Sequence, residues 1–165
     1  MTHFISLAGE KKKLRKALLE NQNVVNLLVN AGDNLEEFKD VKTGSKSPAA
    51  ELVKTHFYVP GTEQGGRNYI TMRNQVLGAT STHIKRVALS IYIICNIDQI
   101  DMLQGSRADL LAHEVDKIIN NFQDPLFGLG GIDINLAGEV QFNEGYTGWE
   151  ITYTTHERNR APQIS

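Results

Sequence analysis

The segment 106–122 carries three side chains that could bind a divalent metal ion. Asp109, His113 and Asp116 are spaced by four and three residues, so on a helix they fall within about 60° of one another. Carboxylate and imidazole groups are common metal ligands, and a small metal-dependent enzyme is therefore one hypothesis for this chain. The same three side chains lie opposite the apolar stripe of the predicted helix, where a solvated face is expected. We therefore favour a charged contact surface and predict no bound metal.

Other residues capable of chemistry also have structural interpretations. Cys95, the single cysteine, could act as a nucleophile with His83 or His56 as base. It lies within an apolar strand pattern, however, and a buried cysteine usually behaves as a small hydrophobic residue. Asp98 and Asp101 could serve as an acid–base pair, but carboxylates at the end of a strand more often cap the turn and the helix that follows. We predict that the chain is not an enzyme and needs no cofactor.

Charge and hydropathy argue against two classes of partner. The 17 Lys and Arg residues nearly balance the 19 Asp and Glu residues, which leaves a net charge of −2 and no bulk attraction for nucleic acid. The basic run 11–16 has no interleaved aromatic residues, and such a run on an amphipathic helix is usually its solvated face. No apolar run reaches the roughly 20 residues of a membrane span. We predict no specific nucleic-acid binding and no membrane association.

The N-terminal third of the chain predicts helices followed by an irregular stretch. Residues 10–31 have apolar side chains at helical spacing, including Leu14, Leu18, Val25 and Leu28, with a possible division at 21–23 and a stop at Gly32. Residues 33–67 contain several glycines and prolines and few apolar periods. Within them, 49–56 could form a short helix or strand. A long segment of this kind in a compact domain is usually functional or disordered.

The remainder of the chain predicts strands around one helix. Residues 69–73 and 84–97 read as strands, and Ser106 with Asp109 resembles a helix-capping box before the helix 106–122. Two further alternating strands, 132–142 and 149–155, are joined by a short turn, and their alternation suits a sheet with one face buried and one facing water or a partner. The predicted fold is a single α+β domain over 1–165, an antiparallel sheet with helices packed on one face, a core at 68–157 and a loose tail at 158–165.

The order of these elements resembles a known family of proteins. The relevant segments are the first helix "LRKALLENQNVVNLLV", the irregular stretch "HFYVPGTEQGGRNYITM", the long strand "HIKRVALSIYIICN", the helix "GSRADLLAHEVDKIINNF" and the closing "YTGWEITYTTHE". From about residue 11 to 157 this arrangement resembles the tail terminator, or tail completion, proteins of long-tailed bacteriophages. The family has no catalytic motif, so the resemblance rests on arrangement.

The resemblance implies a structural role in the phage virion. Such proteins form six-fold rings at the head-proximal end of the tail, where they stop tail-tube polymerisation and join the tail to the head connector. The implied partners are other copies of the chain, the tail tube protein and the head connector or stopper protein, with assembly in the host cytoplasm. A head-completion or stopper protein of the same neck is the alternative that stays open.

We also predict which residues contact partners. The segment 33–67 is the candidate for reaching a neighbouring subunit or the tube, because long loops can order against neighbours. The individual candidates are Lys11, Lys12, Arg15, Pro60, Glu63, Arg67, Asp98, Asp101, Asp109 and His113.

Overall fold

The computed structural model of the chain describes residues 3–62, 65–82, 84–122 and 132–158. In these residues three α-helices accompany a five-stranded mixed sheet and a two-stranded sheet, which confirms the predicted α+β class. The helices are α1 (His3–Glu20), α2 (Gln22–Val29) and α3 (Arg107–Asn120). The strands are β1 (Val53–Lys54), β2 (Tyr69–Ala79), β3 (Ile84–Asn96), β4 (Asp101–Met102), β5 (Gly105–Ser106), β6 (Asp133–Asn143) and β7 (Tyr146–Arg158). None of the helices in the described residues is long and apolar enough to cross a membrane.

The main sheet has the strand order β1-β2-β3-β7-β6. Neighbouring strands are antiparallel except β1, which pairs in parallel with β2 through Val53 and Lys54. The predicted antiparallel pairing therefore holds for β2, β3, β7 and β6, and the preceding irregular segment adds the short parallel strand β1 at one edge. The predicted hairpin between β6 and β7 is confirmed, and Gly145 at its turn donates its backbone N–H to the Asn143 side chain at 2.9 Å.

The central strand β3 is buried on both faces, as a β-branched strand in the middle of a sheet should be. Its odd-numbered residues from Val87 to Cys95 lie under the helices, on a surface that we call the helix face. Its even-numbered residues lie on the opposite face. There the hydroxyl groups of Ser90 and Thr152 are hydrogen-bonded at 2.7 Å, and the Tyr92 ring meets Phe57 edge-on, with 4.7 Å between the ring centroids.

The helix face holds most of the core. The predicted stripe of the N-terminal helix is confirmed, since Leu14, Leu18, Val25 and Leu28 are all buried. The predicted division of that helix is confirmed at Asn21, whose side chain accepts a hydrogen bond from the first turn of α2 at 3.0 Å. Helix α1 begins at His3, earlier than predicted, and α2 ends at Val29 rather than at Gly32.

The segment 33–67 packs against its own subunit. It forms 3₁₀ turns at Leu35–Glu37 and Pro48–Glu51 before entering β1, and it buries Ala49, Leu52 and Val53. Beyond β1, Phe57 and Tyr58 lie against the rings of Tyr92 and Tyr69 on the opposite face of the sheet. Several of its apolar side chains are thus used within the domain, although Phe57 is 48% exposed, and the contact of this segment with a neighbouring subunit stays a prediction.

Candidate assembly surface

Asp109 and Asp116 on α3 point toward β7. The Asp109 carboxylate accepts a hydrogen bond from the indole Nε1 of Trp149 at 2.7 Å, and the Asp116 carboxylate accepts one from the hydroxyl of Tyr153 at 2.8 Å. Trp149 and Tyr153 point to the same face of β7 and are four residues apart along the strand. They therefore reach two residues of α3 that are seven positions apart along the helix. The prediction that these side chains lie on a solvated face is therefore confirmed for Asp109, which is exposed, and wrong for Asp116, which is half-buried.

Neither of these hydrogen bonds involves His113. That side chain is exposed on the far flank of α3, beside a cavity of about 200 Å³ lined by residues of α2 and the 35–38 turn. Across the described ranges, no group of three or more His, Cys, Asp and Glu side chains is placed to hold a metal ion. The arrangement can orient α3 on the sheet, and it does not bring Asp109, His113 and Asp116 together as a metal-binding triad.

The capping prediction for α3 is also corrected. Ser106 occupies the N-cap position but makes no side-chain capping hydrogen bond, and the Asp109 carboxylate, which would complete the box, accepts from Trp149 instead. The preceding turn is capped instead by Asn96, whose side chain accepts the backbone N–H of Asp98 at 3.0 Å. Asp98 and Asp101 are both exposed.

Arg107, at the first position of α3, is the buried polar residue that sequence reasoning missed. Its side chain is 0% exposed, and its guanidinium donates hydrogen bonds to four backbone carbonyl oxygens, those of Leu27, Asn30, Gly32 and Gln99. Three of these carbonyls lie at or just after the end of α2, where unpaired carbonyls and the helix dipole favour a cation. Burial lowers the pKa of the Arg107 guanidinium below its ordinary value. The residue therefore joins α2, α3 and the end of β3.

Cys95 behaves as predicted. It is fully buried on the helix face, and burial raises the pKa of its thiol to about 12. A thiol that remains protonated at neutral pH is a poor nucleophile. The side chain is part of the core rather than of a reactive site.

The predicted contact residues divide between internal and exposed positions. Arg15 donates hydrogen bonds to the backbone carbonyls of Val53 at 2.9 Å and Ala50 at 2.6 Å, so it fastens α1 to the segment before β2. Pro60 is buried, and its carbonyl accepts a hydrogen bond from Asn143 at 2.9 Å. These two residues are thus used inside the subunit.

The other candidates remain accessible where they are described. Lys12 is exposed and Lys11 is half-buried on α1, and Arg67 forms an exposed ion pair with Glu51 at 3.7 Å. Exposed pairs of this kind contribute little to stability. Glu63 lies outside the described residues. The role of these side chains in partner contacts stays a prediction.

Four of the eight exposed large apolar side chains among the described residues lie on β2 and β6. Val76 is 47% exposed on β2, and Ile134 and Leu136 are 54% and 52% exposed on β6. A β-bulge between Ile134 and Leu136 places these two side chains on opposite faces of the sheet, which the predicted simple alternation of β6 did not anticipate. Exposed apolar residues that are scattered singly are ordinary on a protein surface.

Both outer strands also present an open backbone edge. Strand β6 pairs with β7 on one side, and in the described part of the chain no strand pairs with its other side. Strand β1 covers β2 only at Ile70 and Thr71, so residues 75–79 of β2 pair with β3 alone among the described residues. An open edge displays backbone N–H and C=O groups that can pair with a further strand. We refer to residues 75–79 as the β2 edge and to residues 133–136 as the β6 edge.

Comparison with known proteins adds one finding. The sequence model of a family named YomW matches residues 21–155 of the 165-residue chain. The match runs from the start of α2 into β7 and includes β1, β2, β3 and β6 completely. Searches of the curated proteins and of the solved structures found no match.

Proposed function

The chain belongs to the YomW family of phage-derived proteins, and we propose that it is a structural virion protein that forms a ring at the head-proximal end of the phage tail. In this role it terminates tail-tube polymerisation and joins the tail to the head connector. The ring is made of copies of this chain, with six copies expected from the resemblance to tail terminator proteins. The remaining partners are the tail tube protein and the connector or stopper protein.

The observation that carries this proposal is the pair of open edges on one sheet. Strand β6 is at one end of the strand order, and the β2 edge lies beyond the short strand β1 at the other end, so one subunit has two different edges that can serve self-association. Contacts between two different surfaces are heterologous, and they generate a closed ring when the rotation between subunits closes. The two edges are therefore available for the heterologous contacts that a ring requires.

The use of polar residues on α3 points in the same direction. Asp109 and Asp116 hold the helix to β7, and Arg107 holds it to α2. These contacts stabilise a rigid subunit, as a component of a mechanical joint requires. The resemblance in element order agrees with this role, since that family joins a compact sheet to helices without a catalytic motif.

The alternative is a stopper or head-completion protein at the same neck. It shares the ring and the virion location and differs in its neighbour, which would be the portal side rather than the tail tube. Binding to isolated partners distinguishes the two roles. A terminator binds the ends of tail tubes, whereas a stopper binds portal-containing heads that lack tails.

Electron microscopy of the purified protein, together with sedimentation velocity, tests the proposal. We expect a single discrete oligomer that appears as a ring in negative stain. Mixed with tail tubes of the same phage, the protein should be found at one end of each tube. A strictly monomeric protein at every concentration, with no attachment to tube ends or to heads, would contradict the proposal.

A further inference from the structure

We propose that the cavity between α2, α3 and the 35–38 turn binds an alkylammonium group, with the Glu114 carboxylate as the anion that pairs with it. We call this space the α2–α3 cavity. The group is either the end of a lysine side chain from another protein or a free aliphatic amine. The inference concerns a single subunit and does not depend on the proposed ring.

The α2–α3 cavity has the size and the walls of a site for a small ligand with an apolar stem. Its volume is about 200 Å³. Sites for drug-sized ligands are larger, roughly 300–1,000 Å³, so this one suits a group of side-chain size. Four apolar side chains line it: Leu27, Leu35, Phe38 and Leu110. A short aliphatic chain would contact these walls and would be removed from water.

Glu114 on α3 supplies a negative charge at this cavity. It is half-buried and is the acidic residue of the lining. One of its carboxylate oxygens is inaccessible to water and has no hydrogen-bond partner among the described residues. A shielded carboxylate oxygen without a donor is costly, and rotation of the terminal torsion can turn it toward a donor in the cavity. The unpaired oxygen therefore favours a ligand that donates.

The cations of the subunit do not meet this need. In the described part of the chain, no lysine or arginine lines the cavity. The Arg107 guanidinium lies over the Phe38 ring, with 5.5 Å between its carbon and the ring centroid, but it is engaged by four backbone carbonyls. His113 also lines the cavity, yet consecutive side chains on a helix do not face each other, so it is poorly placed to pair with Glu114.

The two asparagines of the lining differ in what they can offer a ligand. The Asn26 amide is already used, since its oxygen accepts from Gln22 and from the backbone N–H of Val41, both at 3.0 Å, and its nitrogen donates to Asp40 at 3.1 Å. Asn23 is exposed on α2, and its side chain has no hydrogen bond to another described residue. Its carbonyl oxygen is therefore available as a second acceptor beside Glu114.

This set of groups selects an ammonium ion over other ligands. An anion would be repelled by the carboxylate, and a divalent metal ion would require more anionic ligands than one. A neutral alcohol could donate one hydrogen bond, but a hydrogen bond between two ionised groups is about twice as strong. An alkylammonium ion brings three donors on an apolar stem, which matches one carboxylate and one amide oxygen above apolar walls.

A titration followed by two-dimensional ¹H–¹⁵N NMR tests the inference on the unaltered protein. The probe is n-butylammonium chloride, which reproduces the end of a lysine side chain. We expect saturable shifts in the millimolar range at the backbone amides of the lining residues and none along β3 and β7, because a ligand of five heavy atoms gains limited binding energy. Butan-1-ol is the neutral control and should bind at least about tenfold more weakly.

Glu114→Gln removes the charge and keeps the shape of the side chain. It should weaken butylammonium binding by at least about tenfold. Glu36→Gln is the matched control, since Glu36 is exposed on the neighbouring turn and does not line the cavity. It should change binding by less than about twofold, because an exposed charge contributes little. The comparison with butan-1-ol still tests the role of charge if the Glu114 variant folds poorly.

A third probe distinguishes the two sources of the ammonium group. Nα-acetyl-lysine N-methylamide carries the same ammonium on a protein backbone. Binding as tight as that of butylammonium would assign the cavity to a lysine of a partner protein, and binding of butylammonium alone would assign it to a free amine. Both results support the inference.

Three results would overturn it. They are the absence of saturable shifts at the lining residues, equal binding of butan-1-ol, and undiminished binding in a folded Glu114→Gln protein. None of these results bears on whether the protein forms a ring, which electron microscopy and sedimentation test separately.

Discussion

The helix face of the sheet and its two outer edges differ in how their side chains are used. On the helix face, Asp109, Asp116 and Arg107 each have hydrogen-bond partners within the subunit, and the surrounding apolar side chains are buried. Along the outer edges, Val76 and Leu136 remain about half exposed beside open backbone edges. The residues that most resemble a reactive site in the sequence therefore belong to the part of the molecule that is already complete.

This contrast shows that charged residues at suggestive spacing need not mark the functional surface. A carboxylate on a helix is as useful for orienting that helix on a sheet as it is for binding a metal, because an indole or phenol donor satisfies it equally well. In the described residues, the edges of β2 and β6 have backbone groups without a strand partner, and a sequence pattern does not display them.

The largest expected difference is in thiol reactivity. Cys95 has its pKa raised to about 12 by burial, whereas a cysteine introduced as Val76→Cys would titrate near the ordinary value of about 8.5. At pH 8 the thiolate fraction of Cys95 should be lower by roughly a thousandfold, and burial hinders access further. Reaction rates with Ellman's reagent in the folded protein measure this difference. Comparable rates at the two positions would show that the helix face is not sealed.

Arg107→Met should destabilise the subunit by about 3–5 kcal/mol. The substitution leaves buried carbonyl oxygens at the end of α2 without their donor, which is among the more costly changes in a protein interior. Urea denaturation measures the loss. Arg73→Met, at an exposed position on β2, is the matched control and should change stability by less than about 0.5 kcal/mol.

Arg107→Lys provides an intermediate case. A lysine ammonium has three donors and lacks the planar fork of the guanidinium, so it can satisfy only part of the set of carbonyls. We expect a smaller loss of stability than for Arg107→Met. A loss below about 1 kcal/mol in both variants would contradict the role assigned to Arg107.

Gly148→Ala should destabilise by about 1–3 kcal/mol through a steric conflict at the centre of the sheet. An added Cβ at this position would overlap the backbone carbonyl oxygen of Ile93 on β3, so β7 could approach β3 less closely. Gly138→Ala is the matched control, because a Cβ there would meet open space on β6. Urea denaturation of both variants checks this prediction, and equal stabilities would refute it.

Tyr153→Phe and Asp116→Asn should each cost about 1–2 kcal/mol, since each weakens the half-buried hydrogen bond between α3 and β7. The double variant should cost less than the sum of the two single changes. A double-mutant cycle measured by urea denaturation gives this coupling. Strict additivity would mean that the two groups do not stabilise each other.

The spacing of apolar residues predicts most helices and strands correctly, but it does not predict all of their neighbours in the fold. Strand β3, helix α3 and the β6–β7 hairpin are identifiable because their apolar residues recur at strand or helix spacing, and the α+β class follows from their order. The parallel strand β1 was not predicted as paired, since two residues have no measurable periodicity and their pairing depends on distant β2.

The candidate site was harder to predict for the same reason. The helical spacing predicts that Asp116 is solvated, because nothing in the local sequence indicates that Tyr153, 37 positions away, lies beside it. The local sequence predicts that Arg107 is one more surface charge at the start of a helix. A cation is disfavoured in the first turn of a helix, and this position was therefore a signal that the Arg107 side chain has a partner elsewhere in the fold. The open edges follow from strand order, which is a property of topology.

Hydrogen–deuterium exchange of the assembled protein tests the central claim most directly. Backbone amides at strand edges exchange readily unless they are paired, so assembly should protect the β2 edge and the β6 edge while leaving β3, β7 and α3 unchanged. Comparing the protein at concentrations below and above its assembly threshold gives the difference per segment. The account predicts new protection confined to residues 75–79 and 133–136. Protection on the helices instead, or no change at either edge in an assembled ring, would contradict it.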